Sequence, residues 1–175
     1  VIEEVGRLYG FDKLPRVLPT RSTKPTALNP VRELKKQIRG TLSKAGASET
    51  LTYSFVHEKT IQRAGQDSKY AYKLSNALSP DLQYYRLSLT PSLLDKIHMN
   101  YKAGHQSFAL FEIGKTHFKG EMDSDEPTIP KEDTHLAFVF ASKQTNQGAA
   151  YYMALRYLKQ VANFDSYEFI SLAKF

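Results

Sequence analysis

Phe108-Ala109-Leu110-Phe111-Glu112-Ile113-Gly114-Lys115-Thr116-His117-Phe118 is the stretch on which the fold turns. Its aromatic and aliphatic run is that of a strand, and Gly114 within it suggests a bulge. Glu121 to Glu132 follows, acidic, proline-containing and without an apolar period, so it reads as an exposed loop joining two strands. His135 to Ser142 (HLAFVFAS) then reads as a buried strand. Downstream, a Tyr- and Leu-rich helix is expected from Ala149 to Phe164 and one more strand over Tyr167–Leu172. Upstream, Thr90-Pro91 supplies a cap and a first-turn proline for a helix carrying Leu93, Leu94, Ile97 and Tyr101 on one side, ended by Gly104. Strands beside strands, with helices between some of them, predict an α+β fold: a mainly antiparallel sheet flanked by helices.

The amino-terminal half extends this pattern. Val1, Ile2, Val5, Leu8 and Tyr9 recur at helical spacing and Gly10 stops them. Arg16 to Asn29, with Pro19 and Pro25 among Ser and Thr, predicts an extended linker. Asn29-Pro30 is a helix cap followed by proline at the first helical position. Val31, Leu34, Ile38, Leu42 and Ala45 form the stripe of that helix, and Gly46 closes it. The stripe suits packing on the chain's own core or on a second subunit, and Val31, Leu34, Ile38 and Leu42 are the interface candidates. Glu49 to Val56 (ETLTYSFV) reads as a strand, His57 to Ala64 as a short helix, and Tyr70–Leu74 and Leu82–Leu89 as further strands around the turn Asn76–Asp81. The expected division is residues 1–15 as the end of a preceding small domain, 16–29 as linker and 30–175 as the core domain, the whole an excerpt of something longer.

The chain has 175 residues, 41% hydrophobic and 24% charged, a balance that supports a core without staples. It contains no cysteine, so disulfides, thiolate metal sites and cysteine nucleophiles are excluded. That usage fits a reducing cytoplasm. No apolar run approaches the ~20 residues of a membrane helix. The net charge of +6 invites a nucleic-acid partner, but the cations are scattered and no run exceeds two. The basic helix Arg32–Lys44 motivates an alternative reading as an RNA-binding module.

No intrinsic catalytic constellation emerges. Gly114-Lys115-Thr116 looks like the end of a phosphate-binding loop, yet Ala109 stands where that pattern needs glycine and no helix follows to hold a phosphate. The five histidines lie in different elements without i, i+4 pairing. Glu121, Asp123, Asp125 and Glu126 lack the glycine and distal glutamate of a calcium loop. Glu3 and Glu4, adjacent on a helix, point roughly 100° apart around its axis.

Four segments in order carry a resemblance. They are Ile2 to Pro15 (IEEVGRLYGFDKLP), Glu49 to Val56, Leu74 to Leu94 (LSNALSPDLQYYRLSLTPSLL) and Phe111 to Phe118 (FEIGKTHF). Together they resemble the β subunit of bacterial-type phenylalanyl-tRNA synthetase. The resemblance implies the class II synthetase catalytic fold, with the helix Pro30–Ala45 and strand Glu49–Val56 standing for motif 1 and Phe108–Phe118 for motif 2. Working class II enzymes carry an arginine near the end of the motif 2 strand for ATP phosphate and the activated carboxylate; here Thr116-His117-Phe118 fills that place. No arginine lies between Arg86 and Arg156, so adenylation by this chain is not expected. Also implied are an α subunit partner in an α2β2 assembly, tRNA-Phe bound through the whole enzyme, and ATP and Mg²⁺ used by the whole enzyme, with neither expected on this fragment alone. Glu3 and Glu4 match the two glutamates of a Mg²⁺ site that the family shares with α. The expected role is a non-catalytic structural core supporting attachment of phenylalanine to its tRNA.

Overall fold

The computed structural model describes residues 1–144 and 148–161. In chain order its elements are α1 (Ile2–Tyr9), α2 (Pro30–Lys44), β1 (Ser48–Glu49), β2 (Phe55–Val56), α3 (Glu58–Arg63) and β3 (Tyr84–Tyr85). Then come α4 (Thr90–Leu94), α5 (Ile97–Lys102), β4 (Ser107–Thr116), β5 (Asp133–Ser142) and α6 (Ala149–Val161). The expected strand Tyr167–Leu172 and the last residues of the Ala149 helix lie outside the described residues.

Strands β4 and β5 form the centre, an antiparallel ladder running from Ser107 opposite Ser142 to Thr116 opposite Asp133 without interruption. Gly114, opposite His135, is therefore no bulge. Alternation along the pleat sorts the ladder into two faces. Ala109, Phe111 and Ile113 of β4 lie opposite Phe140, Phe138 and Leu136 of β5 and share one cluster. That face is covered by α2 through Ile38 and Leu42 and by α6 through Tyr157 and Val161. Tyr157 lies against Phe138 with ring centroids 5.1 Å apart. Strand β5 is half-buried along most of its length, less enclosed than its apolar sequence predicts.

Helix α2 forms where its start signal places it. The Asn29 side chain accepts a hydrogen bond from the Arg32 N–H at 3.0 Å, Pro30 occupies the first turn, and Gly46 leaves the helix at φ +97°, a conformation that disfavours any Cβ. Gly46 leads the chain into β1, which joins β4 in parallel through Ser48–Leu110 and Glu49–Phe111. The three-stranded sheet, in the order β1-β4-β5, is thus mixed, with its long ladder antiparallel.

Three expected strands are shorter than their sequence patterns. Glu49–Val56 is regular only at its two ends, because Thr52 leaves the ladder to bond the Glu112 carboxylate. Leu82–Leu89 begins in a 3₁₀ turn capped by Ser79 and pairs regularly only at Tyr84 and Tyr85, against Val56 and Phe55. Tyr70–Leu74 opens in a second such turn, capped by Asp67, and reaches Tyr84 through one bridge at Lys73. In both turns a short polar side chain takes a backbone N–H and competes with the ladder. The helix expected from Thr90 breaks at Asp95–Lys96 into α4 and α5. This smaller layer has its own core of Ile61, Ala71, Tyr84 and Leu87.

Candidate functional site

Glu112 and Gly114, which share the second face of β4, meet the layer carrying Arg86 and Leu89. Arg86 and Glu112 are 4% and 0% exposed and form an ion pair, with Arg86 Nη1 2.7 Å from Glu112 Oε1. Most of the polar atoms of the pair are engaged. Arg86 Nε donates to the Lys115 carbonyl at 3.1 Å and Nη1 to the Thr52 hydroxyl at 2.8 Å. The Thr52 hydroxyl donates in turn to Glu112 Oε2 at 2.7 Å. A buried charge pair is tolerated when its remaining donors and acceptors are satisfied in this way. Three segments distant in sequence, around Thr52, Arg86 and Glu112, are thereby fixed on one another. Sequence patterning alone places neither Arg86 nor Glu112 among the candidate site residues. The available signal was a charge of each sign inside an apolar run, Tyr84–Leu89 and Phe108–Ile113.

The end of β4, where the resemblance implies that working enzymes keep an arginine, holds other chemistry. Thr116 is fully buried with Oγ1 3.3 Å from His135 Nδ1. His117 is buried, donates through Nδ1 to the Lys131 carbonyl at 3.2 Å and packs edge-on against Tyr85. Phe118 is partly exposed. Burial holds the His117 imidazole below its ordinary value of 6.5; Lys115 and Arg86 push the same way, and the bond to Lys131 opposes them. The unfolded chain takes up this proton near pH 6.5 and the folded chain only at lower pH. The His117 contribution is therefore whole above 6.5 and is lost as pH falls through the folded value. The urea midpoint should fall more between pH 7 and pH 5 in the parent protein than in His117→Gln. Equal falls would show that another group titrates.

The remaining candidates are scattered. Leu42 is fully buried and Ile38 packs on the same cluster, so this end of the stripe belongs to the chain's own core and Leu42 is closed to a second subunit. Val31 and Leu34 are each 54% exposed on the first turns of α2. Of the basic helix, Arg39 is committed to Glu49 at 2.6 Å and Lys36 lies 4.0 Å from Glu33. Glu3 and Glu4 stand exposed on the first turn of α1, and the Glu4 carboxylate is held by Arg7 at 2.8 Å. Among the described residues no three of His, Cys, Asp or Glu gather to hold a metal. Glu3 and Glu4 thus stand without a third ligand beside them among the described residues, and one of the two is paired with a cation. Nor is any described helix long and apolar enough to cross a membrane.

Solved structures share this architecture. A pyrrolysyl tRNA synthetase from Desulfitobacterium hafniense superposes with a TM-score of 0.60 at 14% identity, over 75% of this chain and 44% of that one. A histidine–tRNA ligase subunit from Alicyclobacillus acidocaldarius gives 0.57 at 16% identity, over 85% and 42%. At such identities the likeness shows the fold, the class II synthetase type. In sequence, the phenylalanine–tRNA ligase beta subunit of Bacillus licheniformis is 34% identical over 137 residues, covering 78% of this chain and 16% of that protein. The Bacillus cereus beta subunit is 31% identical over 166 residues, covering 94% and 19%. The chain thus spans less than a fifth of the length of these curated relatives. The family model described as the phenylalanyl tRNA synthetase beta chain CLM domain matches residues 14–163. With the four resembling segments, the α+β architecture and this match in agreement, the chain belongs to the phenylalanyl-tRNA synthetase beta chain CLM domain family.

Proposed function

We propose that this chain is a non-catalytic core of a phenylalanine–tRNA ligase β subunit, holding the catalytic α subunit in an α2β2 enzyme of the cytoplasm. Residues 1–15 would close a preceding small domain, residues 16–29 link it, and residues 30–175 form the core. Phenylalanine, ATP, Mg²⁺ and tRNA-Phe are then ligands of the whole enzyme. One observation carries the reading: the end of β4 presents Thr116, His117 and Phe118 and no guanidinium. The nearby Arg86 is buried and bonds through Nε and Nη1 to the Lys115 carbonyl, Thr52 and Glu112. Activating a carboxylate with ATP needs a preorganised cation for developing negative charge, worth several kcal/mol to the barrier. A lysine such as Lys119 supplies a point charge without the bidentate fork.

The purified chain is therefore expected to give no exchange of pyrophosphate into ATP with phenylalanine present. Exchange above that of a mock preparation would overturn the reading. The scaffold role makes a separate demand on α2. Val31 and Leu34 are the apolar side chains this helix leaves uncovered, and they are the proposed anchors for α. Val31→Asp and Leu34→Asp should each weaken complex formation with α by about tenfold or more, as anchor residues at protein interfaces do. Because both positions are exposed, the melting temperature of the isolated chain should hardly move. An unchanged complex mass would put the α contact on another surface.

A further inference from the structure

A cleft of about 280 Å³ opens between β2, the start of α3, the 3₁₀ turn at Pro80–Leu82 and the α4–α5 junction. Phe55, Val56 and Leu82 give it apolar walls, while Asp81, Asp95 and Lys96 give it charge. Its balance is acidic on a chain whose net charge is +6. Lys96 lies 3.6 Å from its neighbour Asp95, whereas the Asp81 carboxylate has no cationic partner among the described residues. Ser92, another lining residue, is 7% exposed and its hydroxyl has no hydrogen-bond partner among the described residues. A buried hydroxyl without a partner costs stability and is uncommon in native proteins. Here it sits at the wall of a cleft that also holds an unpaired carboxylate.

The rim points to a macromolecular occupant. Tyr53, itself a lining residue, is 75% exposed. An exposed aromatic beside a small acidic recess suits a side chain presented by a larger molecule, whose neighbouring contacts exclude water from the anchor. The volume suits one long side chain better than a whole cofactor. An arginine has an apolar stem for Phe55, Val56 and Leu82 and a forked cation for Asp81, and its guanidinium can stack on the Tyr53 ring at the rim.

We propose that this cleft is a docking site for a single arginine side chain, flanked by apolar residues, from a partner polypeptide. The site is separate from the α2 surface, and its occupancy does not depend on the ligase assignment. The test uses the full chain, isotope-labelled, and three probes followed by amide chemical shifts. These are a blocked Leu-Arg-Leu tripeptide, the same peptide with norleucine for arginine, and free L-arginine. The arginine peptide should shift the amides of Thr52, Val56, Thr60 and Ser92 in a saturable way. Norleucine in its place should weaken binding at least tenfold, and so should Asp81→Asn, a change at an exposed position that leaves the turn cap from Ser79 intact. Equal binding of the norleucine peptide, an unaffected Asp81→Asn, or no shifts at millimolar concentrations would overturn the proposal. Free arginine binding as tightly as the peptide would make the cleft a small-molecule site and overturn it as well.

Discussion

Replacing Glu112 with alanine is expected to lower folding stability by about 3–5 kcal/mol, the range for breaking a buried ion pair from one side. The change strands the Arg86 guanidinium at 4% exposure and also removes the acceptor of the Thr52 hydroxyl. Arg86→Ala should cost a similar amount, since it leaves the carboxylate buried and frees the Lys115 carbonyl. A domain of this size has about 5–15 kcal/mol in all, so either variant loses a large fraction of its stability. Replacing both charges together, Arg86→Met with Glu112→Leu, should cost much less than the two single losses combined, because no unpaired charge remains. Urea unfolding at pH 7 gives all four stabilities. A loss under about 1 kcal/mol for Glu112→Ala would mean that water reaches the pair and screens it.

This pair also marks the boundary of what the sequence discloses. Local signals were sufficient where the structure answers to local chemistry. Asn29-Pro30 starts α2 and Gly46 ends it, and the apolar runs from Phe108 and His135 become β4 and β5. The same signals misled where a distant partner decides. Glu49–Val56 has the composition of one strand, but the carboxylate of Glu112, sixty residues away, draws Thr52 out of the ladder. Gly114 resembled a bulge because glycine within a strand often marks one, whereas here it makes room for a side chain from another layer. The stripe of α2 has the period of one seam, yet α6 and the sheet cover Leu42 and Ile38 and leave Val31 and Leu34 exposed. Periodicity gives the face of a helix; how far along that face the core reaches depends on where neighbouring elements end.

Gly114→Ala follows from the same packing and should cost about 3 kcal/mol, the upper end of the overpacking range. In most strands alanine for glycine gains some stability, because glycine loses more backbone freedom on folding. Here a Cβ on Gly114 would overlap Arg86 Nη2 and would stand 3.0 Å from Leu89 Cδ2 and 3.2 Å from Glu112 Oε1. A flexible side chain could swing aside, but the guanidinium is held by Glu112, Thr52 and the Lys115 carbonyl. Moving it breaks the ion pair that the preceding variants test. The cost of Gly114→Ala should therefore depend on its background. In the Arg86→Met/Glu112→Leu protein the thioether can repack, being unbranched and uncharged, and the same alanine should cost less than half as much. Urea midpoints for the two pairs of proteins give the coupling directly. An equal cost in both backgrounds would locate the clash at Leu89 or in the backbone, and the glycine would no longer be tied to the arginine above it.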